Sequence, residues 1–485
     1  MGKLVARLDA IQERLDALAR LHKVPGASLA VLEGDQVLEF ATGVVNITTG
    51  VETTPATLFQ IGSNTKVYTT TLLMQLVDQG KVDIDRPVRA YVSDFKVADS
   101  NASATITVRH LLTHSSGIQG DHFEDFGRGD DGISKYVDSM SGLTQVTPPG
   151  AMFSYCNSGF VLAGYIVERV TGKPYHQALK EMLLEPLGLR ATTVLAEEML
   201  AFRYAVGHMP GPNGEPAMAP TVLMGRASAP AGSVTSATAR DVLGFVKMHL
   251  DLGRAPDGSR VLSEKSVRAM QQPQVRVPGR TPAGHVGLGW MLDDWDGQKM
   301  IGHGGGTIGQ LSFLHALPER HLAACLLTNS GTGALLWRDL GRWLFDDLVG
   351  VTVPEVPKPA DPPPSLDLRR YTGRYERLSV TCDLAVEGGE LVATMTPTGP
   401  LAALGLPPQQ IRFQPVDDET FHVAMGGGEG VAVFLDFDAR GRPQYLHLGG
   451  RVSARTAGPR ARTAKKAAKA GRPAKKAPRK AAATR

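Results

Sequence analysis

The sequence predicts an α/β fold, built as an α+β sandwich and followed by a small all-β domain. Strand-like segments lie near the start of the chain and again between residues 311 and 328, with a mainly helical region between them. Because strands and helices do not alternate regularly, this order favours a sandwich over a parallel βαβ array. A proline-rich stretch then precedes short strands separated by glycine-rich turns, a pattern typical of a small antiparallel barrel or sandwich.

The N-terminal segment predicts a helix followed by a hairpin. Its apolar residues are spaced three or four apart and form one stripe, which consists of Leu4, Leu8, Ile11, Leu15 and Leu18. The heptads are too few to favour a coiled coil, so we expect the helix to pack on a sheet. Residues 27–32 and 36–42 then predict two strands joined across Glu33-Gly34-Asp35.

The central region predicts a series of helices before the chain returns to strands. The longest run with helical periodicity extends from residue 66 to residue 79 and ends at Gly80. Further helices are predicted at residues 108–112, 159–171, 175–184 and 239–252, and strands at residues 311–317 and 322–328.

Changes in composition define four expected regions. Residues 351–366 contain six prolines and predict a stiff linker. The catalytic domain is therefore expected at residues 1–350, the barrel at 367–454 and a tail at 455–485. The barrel strands are predicted at residues 381–386, 391–395, 411–413, 421–424, 431–437 and 445–448.

The net charge of +4 is the average of two different regions. Residues 455–485 contain twelve Lys and Arg and no Asp or Glu, whereas the rest of the chain carries 40 basic and 48 acidic side chains, a net charge of −8. The tail lacks the large apolar residues that a core needs, so we expect a disordered segment rich in Lys, Arg and Ala. Such a segment binds nucleic acid or another polyanion without sequence preference; a tail that only increases solubility is the alternative.

Composition also bounds the location and the redox state. No run of 18 or more uncharged apolar residues exists, and charges interrupt the N-terminal segment, so we expect neither a membrane span nor a secretory signal. The expected location is therefore cytoplasmic, with nucleoid association if the tail binds nucleic acid. Three widely spaced cysteines, Cys156, Cys325 and Cys382, predict buried free thiols rather than disulfides or a zinc site.

One of two Ser-x-x-Lys segments is a candidate nucleophile. The chain has no G-x-S-x-G, H-E-x-x-H or Walker loop, which excludes the hydrolase elbow, zincin and P-loop types of site. Ser93 and Lys96 lie in a polar stretch, whereas Ser63 and Lys66 open the long predicted helix. A helix N-terminus favours negative charge, and a spacing of three puts Lys66 on the same face as Ser63. A desolvated amine there can accept the hydroxyl proton.

Two further motifs add polar groups suited to acyl transfer. Tyr155-Cys156-Asn157 is the only Y-x-N in the chain, and it offers a phenol that can relay protons and an amide that can hold a carbonyl group. Among three H-x-G segments, only the one at His303 follows an apolar approach and continues into glycines, Gly304 to Gly306, that let substrate backbone come close. His285 and His447 are expected to be structural.

Ser-x-x-Lys, Tyr-x-Asn and His-x-Gly in this order resemble the three motifs of class C β-lactamases and related low-molecular-weight penicillin-binding proteins. Relatives of these proteins include esterases, D-aminopeptidases and β-lactamase-like mitochondrial proteases. The resemblance covers roughly residues 20–345 and implies an antiparallel sheet with a helical subdomain. Three supporting segments also resemble this family: residues 111–118 (LLTHSSGI), 230–236 (PAGSVTS) and 287–290 (GLGW).

The resemblance implies a role for each motif residue. Ser63 would attack the substrate carbonyl and Lys66 would accept its proton, while Tyr155 would share the base role and protonate the leaving group. His303 stands where β-lactamases of this type carry Lys, a departure shared with esterase and peptidase members that disfavours binding of a β-lactam carboxylate. The implied substrate-binding residues are Asn157, Gly304 and Gly305, and the implied oxyanion donors are the N–H groups of Ser63 and Gly306.

The barrel region also resembles a known domain. Residues 367–454 are similar to the lipocalin-like barrel that follows the catalytic domain in some peptidase members. The segment contains no catalytic constellation, so packing or gating is its expected role. The tail resembles the Lys/Ala/Pro arms of linker histones and some bacterial nucleoid proteins.

Together these observations predict a serine hydrolase that acts through an acyl-serine intermediate on a small ester, amide or D-amino-acid peptide. No metal or other cofactor is expected. A weak β-lactamase or DD-peptidase-like activity is one alternative. A catalytically idle fold, tethered to nucleic acid by its tail, is an alternative of another class. The substrate would depend on loops such as residues 119–134 and 203–229.

Overall fold

The body of the protein, which precedes the proline-rich linker, is organised around one eight-stranded antiparallel sheet. The computed structural model describes residues 4–280, 283–402, 407–425 and 428–456. The strands of the main sheet are β1 (Gly26–Glu33), β2 (Gln36–Gly43), β8 (Val275–Arg276), β9 (His285–Val286), β10 (Met291–Trp295), β11 (Gln298–Thr307), β12 (Gln310–Leu317) and β13 (Leu322–Thr328), in the order β2-β1-β13-β12-β11-β10-β9-β8. Smaller sheets contain β3 (Phe59–Gln60), β4 (Thr192–Thr193) and β7 (Ser236–Ala237), and β5 (His208–Pro210) with β6 (Pro216–Met218).

Helices cover both faces of this sheet. The helices of the body are α1 (Leu8–Leu21), α2 (Thr65–Asp78), α3 (Ser100–Thr105), α4 (Val108–Leu112), α5 (Gly132–Ser139), α6 (Asn157–Thr171), α7 (Tyr175–Leu179), α8 (Ala239–Leu250), α9 (Glu264–Met270) and α10 (Gly333–Arg342). Helices α1 and α10 contribute to the apolar core on one face, and α2, α6 and α8 to the larger core on the other.

Strand β13 shows why the sheet is apolar on both sides. All seven of its residues are buried. Leu322, Ala324 and Leu326 belong to the core that contains α1 and α10, whereas Ala323, Cys325 and Leu327 belong to the core that contains α2 and α6. Successive side chains of a strand point to opposite faces, so a central strand covered on both sides is a continuous apolar run.

The structure confirms the predicted fold class and the main elements. The predicted hairpin is β1–β2, and the predicted helix at 66–79 is α2, which begins one residue earlier and ends at Asp78. The run predicted as one helix at 175–184 consists of α7 followed by a π-helical segment, Lys180–Leu184. Cys156, Cys325 and Cys382 are buried free thiols.

The C-terminal region forms a closed barrel of eight antiparallel strands. They are β14 (Gly373–Arg377), β15 (Val380–Glu387), β16 (Glu390–Pro397), β17 (Gln409–Pro415), β18 (Thr420–Met425), β19 (Gly428–Phe437), β20 (Pro443–Leu448) and β21 (Arg451–Thr456), with a short helix α11 (Gly399–Ala402). The six predicted strands are β15 to β20. Strands β14 and β21 were not predicted, and they pair with each other to close the barrel.

Strand β21 also moves a predicted boundary. It runs to Thr456, so Arg455 and Thr456, which the sequence places in the tail, belong to the barrel. The Arg455 guanidinium donates to the carbonyl oxygens of Thr372 and Arg370, which lie before and at the start of the barrel. Residues 457–485 of the predicted tail lie outside the described residues.

The proline-rich linker contacts both regions that it joins. Val351 is buried in the core with α1 and α10. The Ala360 N–H donates to the Pro415 carbonyl at 2.9 Å, and the Pro357 carbonyl lies 3.0 Å from Nδ1 of His422, so the linker also contacts the barrel. Among the described residues, none of the helices is both long and apolar enough to cross a membrane.

Candidate active site

Three glycines allow three backbone segments to meet at the start of α2. Gly62 has a φ of +50°, and a Cβ there would lie 2.6 Å from the Gly306 nitrogen. A Cβ on Gly305 would lie 2.0 Å from the Ile61 carbonyl oxygen, and a Cβ on Gly232 would lie 2.0 Å from the Gly62 carbonyl oxygen. Any larger residue would separate these segments, so the glycines place the turn that carries Ser63 directly against β11.

Ser63 and Lys66 form a buried pair at this junction. Ser63 lies in a single 3-10 turn (Gly62–Asn64) that leads directly into α2, and Lys66 lies in the first turn of that helix. The Lys66 Nζ is 2.8 Å from the Ser63 Oγ and donates to the Ala231 carbonyl at 2.7 Å. The Lys66 side chain is completely buried. Burial, reinforced by the positive charge of Arg451, holds the pKa of Lys66 well below its ordinary value.

Tyr155 lies beside this pair. Its ring centroid is 4.9 Å from the Lys66 Nζ. His114 stacks on the same ring at a centroid distance of 4.2 Å and accepts the Cys156 N–H on Nδ1 at 2.9 Å, which fixes the imidazole. Burial raises the pKa of Tyr155 far above its ordinary value, so the group is a neutral phenol that can donate a proton.

Asn157 begins α6 and belongs to a polar chain that crosses into the barrel. Cys156 caps this helix through its Sγ, which accepts the Gly159 N–H at 3.2 Å. The Asn157 Nδ2 donates to Asp121 Oδ1 at 3.1 Å, and Arg451 of β21 donates to both oxygens of the same carboxylate, at 2.8 and 3.2 Å. Burial alone would raise the pKa of Asp121, but the ion pair with Arg451 outweighs it and lowers that pKa.

His303 lies on β11 and faces the same cavity. Its Nδ1 is 2.6 Å from the Gly304 carbonyl oxygen, which assigns the proton to Nδ1. Its Nε2 is buried and has no hydrogen-bond partner among the described residues. Burial, and secondarily Lys66, lowers the pKa of His303 to about 3, so the imidazole is neutral and Nε2 is a hydrogen-bond acceptor.

Ser63, Tyr155, Asn157 and His303 line one cavity of about 430 Å³. The two loops expected to shape the substrate site contribute Phe123 and Met224, and strand β12 contributes Leu311 and Phe313. A volume of this size fits a small organic substrate, and the lining is largely apolar with a few convergent polar groups. The predicted site residues on its wall are Ser63, Tyr155, Asn157, His303, Gly304, Gly305 and Gly306.

The structure brings the three predicted motifs together and separates the second Ser-x-x-Lys segment from them. Ser93 and Lys96 are exposed and do not line the cavity. His447 is buried and does not line the cavity either, as expected for a structural residue, and His285 is exposed.

The barrel, for which packing or gating was the expected role, contributes Gly449, Gly450 and Arg451 directly to the cavity wall. The sequence analysis assigned no role to Asp121, and His114 and Ala231 were noticed only within the segments at residues 111–118 and 230–236. Contacts between Arg451 and Asp121 join residues 330 positions apart, so no local pattern reveals them.

Comparisons with known proteins agree with this arrangement. Residues 9–346 match the model of the β-lactamase family. Penicillin-binding protein 4 from Amycolatopsis lactamdurans is 43% identical over 375 residues, which are 76% of this chain and 97% of that protein.

Two solved structures extend the comparison. The crystal structure of SurE with D-Leu has a TM-score of 0.73 at 27% identity and covers 93% of this chain and 100% of that chain. The D-amino acid amidase from Ochrobactrum anthropi SV3, solved with D-phenylalanine, has a TM-score of 0.56 at 26% identity and covers 70% and 96%. The SurE match is long enough to include the barrel. The chain therefore belongs to the β-lactamase family.

Proposed function

We propose that this protein is an acyl-serine hydrolase whose preferred substrates are small amides, esters or peptides built on a D-amino acid. The observation that carries the proposal is the fully buried Lys66 amine, which lies 2.8 Å from the Ser63 hydroxyl and whose pKa burial holds well below its ordinary value. A neutral amine at hydrogen-bond distance is the general base that a serine nucleophile needs.

In the first half-reaction, the Ser63 proton passes to Lys66 while Oγ forms a bond to the substrate carbonyl carbon. The negative charge that develops on the carbonyl oxygen would be held by the N–H groups of Ser63 and Gly306. Each such donor contributes roughly 3–4 kcal/mol to transition-state stabilisation. The close approach of Gly62 to Gly306 supports this pairing.

Tyr155 then completes the step. Its neutral hydroxyl donates a proton to the leaving nitrogen or oxygen as the scissile bond breaks, and Lys66 returns its proton to Tyr155. Water, activated by the same pair, hydrolyses the acyl-serine ester in the second half-reaction. The position of the Tyr155 ring against the Lys66 amine, in the wall of the cavity that Ser63 also lines, supports this relay.

Two observations support the substrate class. The unpartnered His303 Nε2 is an acceptor that a substrate amino or hydroxyl group can satisfy, which a lysine at this position could not do. SurE was solved with D-Leu, and two further similar structures are named a D-amino acid amidase and a D-stereospecific amidohydrolase.

The test combines covalent labelling with turnover. A fluorophosphonate should add once to the wild type by intact mass and not at all to Ser63→Ala. D-phenylalanine amide should be hydrolysed at least about tenfold faster than L-phenylalanine amide, the discrimination that about 1.4 kcal/mol of differential binding gives. Labelling of Ser63→Ala would contradict the nucleophile. Absence of labelling and turnover in the wild type would favour the idle binding module.

A second candidate is acylation of Ser63 by β-lactams. The relative at 43% identity is named a penicillin-binding protein, which favours it. Because His303 replaces the lysine of β-lactamases, we expect acylation by labelled penicillin without fast turnover. A kcat/KM for nitrocefin above about 10⁵ M⁻¹s⁻¹ would contradict this expectation.

A further inference from the structure

We propose that Arg451 is a positioning residue: it holds Asp121, and through it Asn157, beside Tyr155, so that the barrel completes the active site. The inference rests on the proposed function, because its consequence is measured on the reaction of Ser63. It concerns a residue from the region of the chain that carries none of the three motifs.

The first observation is the way the barrel reaches the cavity. Leu448 of β20 pairs with Arg451 of β21 across a two-residue turn, Gly449-Gly450, in which both glycines have positive φ, +61° and +77°. This is the geometry of a tight hairpin, and side-chain residues would adopt it only with strain. The turn lies in the wall of the cavity together with Ser63 and His303.

The second observation is that the hairpin is hydrogen-bonded to the segment that carries Tyr155. The Tyr155 N–H donates to the Gly450 carbonyl at 2.9 Å, and the Val452 N–H donates to the Ser154 Oγ at 3.2 Å. Backbone on both sides of Arg451 is therefore fixed to the catalytic body. The guanidinium itself lies 4.9 Å from the Tyr155 ring centroid, a distance suited to a cation–π contact.

The third observation is the carboxylate between Arg451 and Asn157. Asp121 receives two hydrogen bonds from Arg451 and one from Asn157, and its own backbone carbonyl accepts the Ser379 hydroxyl at 2.8 Å. The two-point contact sets the plane of the carboxylate, and the carboxylate in turn sets the plane of the Asn157 amide. A lysine at position 451 could supply the charge but not this planar two-point contact, which we call the fork.

The charge balance gives Arg451 an additional effect. Arg451 and Arg377 both lie near Asp121, so one positive charge remains uncompensated next to the cavity. Burial is the main factor that opposes protonation of Lys66; the charge of Arg451 adds to it, while Asp121, which does not contact the amine directly, acts in the opposite direction. The titratable or charged groups that act on Lys66 or lie against it are Arg451, Asp121, Cys156, His114, His303 and Tyr155.

The experiment compares Arg451→Met and Arg451→Lys in the full chain. Arg451→Met removes both the fork and the charge, so kcat should fall about 10- to 100-fold, the loss typical of a displaced positioning group, and the acid limb of kcat/KM should move to higher pH. Arg451→Lys keeps the charge and loses the fork. It should show a similar loss of kcat, with the acid limb where the wild type has it.

Arg442→Ala is the matched control. Arg442 directly precedes β20, at the end opposite Arg451, where it is exposed and paired with Asp438. It should retain the wild-type kcat and pH profile.

The proposal is overturned if either Arg451 variant keeps kcat within about twofold of the wild type, or if Arg451→Met leaves the acid limb in place. Should Arg451→Met fail to fold by circular dichroism, the kcat of Arg451→Lys decides alone. If Ser63 is labelled in the wild type and the Arg451 variants keep the wild-type kcat, only this inference is refuted. If the wild type is not labelled, the proposed function is refuted.

Discussion

Two segments of this molecule share the pattern Ser-x-x-Lys and differ in everything that surrounds it. Ser63 and Lys66 lie at the entry to α2, where Lys66 is completely buried and contacts Ser63 and the Ala231 carbonyl. Ser93 and Lys96 lie in a turn region in which both side chains are exposed and only Phe95, between them, is buried.

Under the proposed function, desolvation and not spacing is what would let Lys66 act as a base. An ammonium group in water keeps its proton at neutral pH, so a serine beside it gains no activation. The same amine loses its proton when the fold removes water and places no carboxylate against it. The following predictions test this comparison, beginning with the largest expected effect.

Ser63→Ala should abolish turnover, with a loss of about 10⁴-fold or more in kcat, because the nucleophile itself is removed. Ser93→Ala should leave kcat and fluorophosphonate labelling unchanged, since its hydroxyl faces solvent. Steady-state kinetics on an ester substrate and intact mass measure both. A dead Ser93→Ala variant would mean that the two segments have been assigned the wrong way round.

Lys66→Met should reduce kcat by about 10²- to 10⁴-fold, the usual contribution of a general base. Methionine has a similar length and suits a buried site, so the fold should survive. Lys96→Met should change kcat by less than twofold. Equal losses in the two variants, measured under the same conditions, would remove the distinction between a buried and an exposed lysine.

The pH dependence of stability sharpens the comparison further. The folded-state pKa of Lys66 lies well below the value of about 10.4 for an unfolded lysine, so between these two values the unfolded chain binds more protons. The wild type should therefore gain stability relative to Lys66→Met as pH rises through this window, by up to about 1.4 kcal/mol per pH unit. Urea unfolding at pH 7, 8 and 9 measures the slope. The free energy of unfolding of Lys96→Met should change with pH as that of the wild type does. The same pH dependence in Lys66→Met and the wild type would indicate a charged, solvated Lys66.

The smallest effect on catalysis should come from the basic residues beyond Thr456. Ending the chain after Thr456 keeps β21 intact and should leave ester hydrolysis unchanged. The same truncation should abolish sequence-independent DNA binding, whose affinity in the full chain should fall by about 10³-fold or more between 50 and 200 mM salt. Gel-shift titrations at the two salt concentrations measure it. DNA binding that persists in the truncated protein would place the binding element elsewhere.

The sequence predicted the residues that act within one motif and missed those that act across the fold. Ser63 with Lys66, and Tyr155 with Asn157, lie within a few positions of each other, so helix geometry and side-chain chemistry identify them. Arg451 looks like any polar residue of a barrel strand, because its importance depends on a turn of two glycines and on a carboxylate 330 positions away.

The same limit explains the missed strands. β14 reads Gly-Arg-Tyr-Glu-Arg and β21 reads Arg-Val-Ser-Ala-Arg-Thr, and neither has the apolar pattern that identifies β15 to β20. Contacts with neighbouring strands stabilise them instead. Arg374 of β14 forms an ion pair with Asp383 of β15, and β14 pairs with β21, although these are the first and the last strands of the barrel in sequence. Barrel closure is a property of tertiary structure that local patterns do not contain.

Strand β21 also sets the order in which the molecule becomes complete during synthesis. A ribosome releases the chain from its N-terminus, so residues 63–66, 155–157 and 303–305 all emerge before β21 does. Until β21 has been made, one wall of the cavity is missing, and β14 and β20 each lack a neighbouring strand. A chain that stops short of residue 451 therefore lacks its pocket wall and exposes strand edges of the kind that promote aggregation. The cavity wall is therefore complete only after β21, the last strand of the barrel, has been synthesised.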